Sequence, residues 1–146
     1  MENTNYSEII ELVLILISDY KIDEIFESYD ERGLLQLLTP YFKKANGEIA
    51  IKSPSLNITR DDDLQEFNRQ LTDAEQLIFA KEILIAYLTK EVNDILQMQL
   101  HLQDGDFKTH AAKNNLEAKS SLLETLKEET GWNITKTGYN SMNIWG

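Results

Sequence analysis

The first third of the chain alternates apolar stretches with polar breaks, and this pattern predicts three helical segments. The first begins at Ser7, whose hydroxyl group is able to cap it, and continues to about residue 20. Positions 12–17 are apolar on every side, so more than one face of this helix should be buried. Residues 21–30 predict a second, shorter helical piece. The third segment, residues 31–45, contains Pro40, so it is either two helices or one kinked helix.

Residues 46–60 follow a different pattern, because apolar and polar residues alternate in the run EIAIK before the stretches SPS and LNIT. This alternation predicts either a small β-hairpin or an extended connector. Asp61, Asp62 and Asp63 follow directly, and carboxylates favour the N-terminus of a helix. We therefore expect a short helix from residue 62 to about residue 70.

The strongest helical signal begins at Thr72, which stands three residues before Glu75 in the pattern of a capping box. Apolar residues then recur at the spacing of one helix face, namely Leu77, Ala80, Leu84, Leu88, Val92 and Ile95. The pattern predicts one helix from residue 73 to about residue 102, roughly 45 Å long at ~1.5 Å per residue.

A last helix is predicted over residues 107–130, after Gly105 ends the preceding helix and Asp106 caps the new one. Its buried side is marked by Phe107, Ala111, Leu116, Leu122, Leu123 and Leu126. A short turn between two long helices makes them antiparallel neighbours. The predicted fold class is therefore all-α: a helical bundle with a long antiparallel C-terminal helical hairpin, a small β-hairpin near residues 46–60 and an extended C-terminal arm.

The charge of the chain is strongly acidic and unevenly distributed. Its 146 residues are the length of a single domain, and the formal net charge is −11. Residues 1–35 hold nine acidic side chains against two basic ones. Tight binding to nucleic-acid phosphates needs Lys and Arg, so this balance argues against it.

Two further classes are excluded or made improbable by composition. The chain has no cysteine, which excludes disulfides, thiolate zinc sites and thiol catalysis. The apolar run at residues 9–17 is shorter than the ~20 residues that a membrane-spanning helix needs. The start of the chain is acidic, whereas a signal peptide begins with basic residues, so we predict no targeting segment.

Candidate catalytic and metal-binding residues form no established pattern. His101 and His110 flank a turn with Asp104 and Asp106, but the spacing matches no zinc or calcium motif. All-helical nucleotide pyrophosphohydrolases hold Mg²⁺ between carboxylates on facing helices, and Glu91 with Asp94 has the required i, i+3 spacing.

The opposite helix would supply its carboxylates from Glu124, Glu128 and Glu129. Residues 92, 95 and 96 look like the buried side of the long helix, so we expect Glu91 and Asp94 to face water. We predict no catalytic residue, no metal site and no cofactor.

The C-terminal segment is the most unusual part of the sequence. Residues 132–146 contain no acidic side chain, one basic side chain and both tryptophans of the chain. Either the segment folds back over its own helices, or it projects as an arm that docks on another chain. We divide the chain into a helical bundle domain (1–131) and an arm (132–146), whose candidate partner-binding residues are Trp132, Ile134, Tyr139, Met142, Ile144 and Trp145.

Several short stretches appear in an order that resembles the head–tail adaptor (connector or neck) proteins of tailed bacteriophages. They are LTDAE at 71–75, AYL at 86–88, DFK at 106–108, residues 112–116 and Tyr139. The resemblance covers mainly residues 71–140. It implies a non-enzymatic virion protein, made in the host cytoplasm and assembled into the neck of the particle.

The same resemblance implies a homo-oligomeric ring, dodecameric in such proteins, that docks on the portal protein and contacts neighbouring tail or neck proteins. DNA would pass through the ring only as cargo, and no membrane would be involved. Two alternatives remain from the residues themselves. One is an acidic helical regulatory or inhibitory binding protein, and the other is the Mg²⁺-dependent pyrophosphohydrolase.

Overall fold

The computed structural model describes residues 2–19, 29–101 and 119–130 of the chain. They are mostly helical and include a two-stranded antiparallel hairpin. In chain order the elements are α1 (Tyr6–Asp19), α2 (Glu31–Lys52), a 3-10 helix (Pro54–Leu56), β1 (Arg60–Asp61), β2 (Glu66–Phe67), α3 (Asp73–His101) and α4, which comprises residues 119–130. The predicted helical piece at 21–30 lies almost entirely outside the described residues, as does the predicted turn before residue 107.

Asn5, and not the predicted Ser7, caps α1. Its Oδ1 accepts a hydrogen bond from the Glu8 backbone N–H at 3.1 Å, and Glu8 Oε2 accepts one from the Asn5 N–H at 2.8 Å. This reciprocal pair is a capping box. Burial of α1 is less complete than its apolar sequence predicts, because Ile15 is 55% exposed.

α2 is one continuous helix that passes through Pro40, which decides between the two predicted alternatives. Asp30 caps it by accepting a hydrogen bond from the Gly33 N–H at 2.7 Å. Pro40 has no N–H to donate within the helix. Leu38 and Phe42, on either side of the proline, are both fully buried, so core contacts hold the helix together across this position.

The predicted β-hairpin near residues 46–60 is displaced toward the C-terminus. Residues 46–52 are still helical, because Asn46 and Ile49 continue the buried face of α2. The hairpin joins β1 to β2 with Arg60 opposite Phe67. Residue 5 extends the sheet through an isolated antiparallel bridge to Glu66.

The short helix predicted over residues 62–70 is wrong, because the aspartates form the hairpin turn. Asp61 Oδ1 accepts hydrogen bonds from the backbone N–H groups of Asp63 at 2.9 Å and Leu64 at 3.1 Å. Aspartate stabilises turns and helix starts by the same kind of bond, so the triplet alone does not distinguish them. Gln65 has a positive φ of 53°, which turns the chain into β2.

α3 begins where the sequence predicts, whereas Leu96, which is expected on its buried side, is 42% exposed. The Thr72 N–H donates to Glu75 Oε1 at 2.9 Å, and the Glu75 N–H donates to Thr72 Oγ1 at 3.2 Å, so the capping box is present. The helix is described as far as His101, and its predicted end at about residue 102 lies outside the described residues. No helix within the described ranges has both the length and the apolar character needed to cross a bilayer.

α4 runs antiparallel to the middle of α3. Lys119 Nζ, at the start of α4, lies 3.2 Å from Glu91 Oε2. Glu129 Oε2, near the end of α4, lies 3.3 Å from Lys81 Nζ, which is earlier in α3 than Glu91. The two helices therefore run in opposite directions. The leucines predicted to be buried at positions 122, 123 and 126 are all buried. The connection at residues 102–118 lies outside the described residues, so the long helical hairpin as a whole stays a prediction.

An aromatic cluster forms the centre of the core. The Tyr6 ring stacks on the Phe42 ring with a centroid distance of 4.1 Å. Phe67 meets Phe79 edge to face at 4.8 Å, and Phe42 lies 5.5 Å from Phe79. The four rings come from α1, α2, β2 and α3. The cluster therefore joins segments that are far apart in sequence.

We expect Phe42→Ala to lower the free energy of unfolding by about 3–5 kcal/mol, because it leaves a cavity among three other rings. Urea unfolding followed by circular dichroism measures this change. Ile51→Ala is a matched control on the same helix, since Ile51 is 78% exposed, and it should alter stability by less than about 0.5 kcal/mol. Equal losses in the two variants would contradict the assignment of the core.

Candidate functional site

The predicted partner-binding residues of the C-terminal arm all lie outside the described residues: Trp132, Ile134, Tyr139, Met142, Ile144 and Trp145. The domain boundary at residue 131 lies there as well. Of the histidine turn, His110, Asp104 and Asp106 also lie outside the described residues. The arm and the histidine turn therefore stay predictions.

The carboxylates that would hold Mg²⁺ in a pyrophosphohydrolase are engaged separately. Glu91 pairs with Lys119 across the α3–α4 contact, whereas Asp94 pairs with Lys90 on the same helix at 2.6 Å. Asp94 is exposed, as predicted, and Glu91 is partly buried beside its lysine. No group of three or more His, Cys, Asp or Glu side chains within the described ranges is arranged to hold a metal ion.

A polar network beside the aromatic cluster joins α1, α2 and the hairpin. The Tyr6 hydroxyl donates to Asp62 Oδ1, and Arg60 Nε donates to the same oxygen at 3.0 Å. Arg60 Nη1 also donates to Asn46 Oδ1 at 2.9 Å. The Tyr6 hydrogen bond holds the pKa of Asp62 below its usual value against the opposing effect of desolvation, and the Arg60 guanidinium acts in the same direction as Tyr6.

The same hydrogen bond has the opposite effect on its donor. Burial raises the pKa of the Tyr6 phenol well above its usual value, and the bond to Asp62 raises it further. A phenol with a raised pKa is a poor general acid near neutral pH. The network is therefore suited to orient the hairpin and not to transfer protons.

Arg69 and Glu75 form a second fixed pair, at the start of α3. Arg69 donates to both carboxylate oxygens of Glu75, at 2.9 and 2.6 Å, and its Nη2 also donates to the Leu56 carbonyl at 2.7 Å. Burial by itself would raise the pKa of Glu75. The bonds from Arg69 and Thr72 outweigh it, so the pKa lies below its usual value.

A groove between α2, α3 and α4 is the most distinctive surface feature of the described residues. Its volume is about 320 Å³. Three lysines line it, Lys44 and Lys52 from α2 and Lys127 from α4, and Ile85 and Ala86 form an apolar floor. We call this feature the lysine groove. Two carboxylates, Glu48 and Glu82, also line it, so on a chain of net charge −11 the groove has a local excess of one basic side chain.

One acidic residue lies at the inner wall of the lysine groove. Glu82 is 1% exposed, and its Oε1 accepts a hydrogen bond from Lys52 Nζ at 2.8 Å. Burial raises the pKa of Glu82, and the Lys52 ammonium only partly offsets this effect. Lys52 also lies 3.9 Å from Glu48. Among the described residues, Lys44 and Lys127 form neither an ion pair nor a side-chain hydrogen bond.

A larger depression of about 550 Å³ lies beside the N-terminal segment, and Asn5 and Glu8 are among its lining residues. These two side chains already cap α1, and Thr4, which also lines it, accepts a hydrogen bond from the Leu71 N–H at 2.8 Å. Thr4, Asn5 and Glu8 thus have structural partners, which makes this depression a weaker candidate site than the lysine groove.

Sequence reasoning did not identify the lysine groove. A partial signal exists on α2, where Lys44 and Lys52 are eight residues apart and therefore lie on one side of the helix. The contribution of Lys127 depends on how α4 packs against α3, which the helical periodicity does not specify.

No protein-family model matches the chain, and searches of curated proteins and of solved structures found no match. The resemblance to head–tail adaptors therefore remains a prediction from the sequence.

The raised pKa of Glu82 predicts a specific effect of pH on stability. The ordinary pKa of a glutamate side chain is 4.5, and the pKa of Glu82 in the folded protein is higher. Between these two pKa values the folded protein keeps a proton that the unfolded chain has released, so stability falls as pH rises. Glu82→Gln removes this titration. Between pH 4.5 and the raised pKa of Glu82 we therefore expect the unfolding free energy of the variant to change with pH along a more positive slope than that of the wild type.

Urea titrations at several pH values above 4.5 measure the two slopes. Thr89→Ser is the control, because Thr89 lines the same groove but carries no titratable group. Its slope should stay close to that of the wild type. A Glu82→Gln slope that matches the wild type would contradict the raised pKa.

Proposed function

We propose that this chain is a structural assembly protein, a ring-forming head–tail adaptor that docks on a portal and continues the DNA channel toward the tail. The observation that carries the proposal is the arm: fifteen residues with no carboxylate side chain and both tryptophans of the chain, attached to an acidic helical body. Burying one such aromatic side chain removes ~150–250 Å² from water. At ~25 cal/mol/Å² this is worth roughly 4–6 kcal/mol before entropy costs.

Two features of the described residues support the proposal. The aromatic cluster is formed by residues between 6 and 79, so its four rings all precede the arm. The Arg69–Glu75 pair fixes one element to another, because Arg69 also donates to the Leu56 carbonyl. Both features are those of a rigid body that presents surfaces to partners.

The acidic regulatory protein is the second candidate, and the exposed carboxylates of α1 favour it. Glu8, Glu11 and Asp19 all lie on the surface. Such a protein would bind basic partners with an affinity that falls steeply with salt. Binding to a portal through the arm would be governed by aromatic burial and should change little with salt, so the salt dependence discriminates between the two functions.

Tryptophan fluorescence tests the proposed role of the arm directly, because both tryptophans of the chain belong to it. We expect the full chain mixed with its portal to show a blue shift and weaker quenching by acrylamide than the chain alone. If the dilute chain alone already shows the protected signal, and the portal does not change it, the arm is folded on its own subunit and the proposal fails.

Substitution in the arm gives an independent measurement of the same contact. Tyr139→Ser with Trp145→Ser should weaken portal binding by at least about 30-fold, the loss of ~2 kcal/mol that defines a binding hot spot. The midpoint of thermal unfolding should stay unchanged. Lys136→Ser is the matched control, since it alters the same arm without removing an aromatic ring, and it should bind like the wild type.

A further inference from the structure

α1 presents an acidic line with an apolar residue at its centre. Glu11, Ile15 and Asp19 are four residues apart, so they lie on one side of the helix and extend over ~12 Å at ~1.5 Å per residue. All three are exposed, and Ile15 is among the most exposed large apolar residues described. Neither Glu11 nor Asp19 forms an ion pair or side-chain hydrogen bond within the described residues. We call this surface the acidic α1 face.

The lysine groove has the complementary arrangement. Lys44 and Lys127 border it from α2 and α4, and both are exposed. Neither forms an ion pair or a side-chain hydrogen bond among the described residues, although the charge of Lys127 acts on the buried Glu82. Ile85 and Ala86 form its apolar floor, and Lys52 is held by Glu82 at the inner wall. The groove thus presents two exposed ammonium groups beside an apolar floor, and the acidic α1 face presents two exposed carboxylates beside an apolar side chain.

We propose that the acidic α1 face of one copy of this chain docks into the lysine groove of the next copy. Ile15 would cover the apolar floor, and Glu11 and Asp19 would approach Lys44 and Lys127. This is the helix-in-groove mode of recognition, with an apolar anchor and flanking charges. A second copy fits better than a small anion, because it also covers the exposed Ile15 and brings two carboxylates to a groove lined by lysines.

The two surfaces belong to different elements and share no residue, since α1 carries one and α2, α3 and α4 carry the other. A contact between different surfaces repeats head to tail and closes into a ring when the rotation between copies allows it. The inference rests on the proposed ring and names the surfaces that join its subunits. It does not involve the arm or the portal.

Charge exchange between the two surfaces tests the contact in the full chain. The groove variant Lys44→Glu/Lys127→Glu and the helix variant Glu11→Lys/Asp19→Lys each place like charges across the proposed contact. Sedimentation velocity at low salt should show self-association of the wild type. In each variant alone we expect the dissociation constant to rise by about tenfold or more, since weak surface attractions become repulsions.

A one-to-one mixture of the two variants should restore association, because each variant's groove then faces a helix of opposite charge. Arg32→Glu/Lys43→Glu is the control for net charge, as both residues are exposed on α2 outside the groove, and it should associate nearly as well as the wild type. Circular dichroism of each variant verifies folding. If one variant does not fold, Ile15→Ser replaces it and should weaken association at every salt concentration.

Three results would overturn the docking. They are self-association that neither variant changes, a mixture that does not recover it, and a wild type that stays monomeric at low salt. In the last case, stabilisation of the monomer by inorganic phosphate would assign the groove to a small anion. If portal binding through the arm persists while the charge exchange fails, this inference fails and the proposed adaptor function stands.

Discussion

The rest of the structure depends on one aromatic cluster, formed by the rings of Tyr6, Phe42, Phe67 and Phe79. Their rings belong to four elements, so the cluster forms only when α1, α2, the hairpin and α3 reach their final positions together. The hydroxyl of Tyr6 extends this constraint to the hairpin turn through Asp62. Because aromatic rings bury large areas with defined geometry, one cluster is able to fix the relative positions of several helices.

Ionic pairs complete the arrangement around this core. Lys81 with Glu129 and Lys119 with Glu91 set the register of α4 along α3. That register brings Lys127 to the groove formed by α2 and α3. The lysine groove is thus a consequence of helix packing, and its basic character comes from residues that are distant in sequence.

The sequence predicted features that depend on local contacts and missed those that depend on distant ones. The capping box of Thr72 and Glu75 and the buried leucines of α4 follow from spacing along one helix, and both are confirmed. Alternation of apolar and polar residues predicts a hairpin or an extended connector near residues 46–60. The same run is also compatible with the end of α2, and residues 46–52 are helical. Burial of Ile49 in the core favours the helical conformation of this run. Side-chain hydrogen bonds from Asp61 form the turn, and bonds of the same kind also begin helices.

We propose a helical body that joins other subunits through two kinds of surface, an aromatic arm without acidic side chains and charged faces on the body. Electron microscopy of the purified full chain, alone and mixed with a portal, tests this claim most directly. The account predicts rings, either free or seated on the portal. Single particles the size of one chain under both conditions would contradict it.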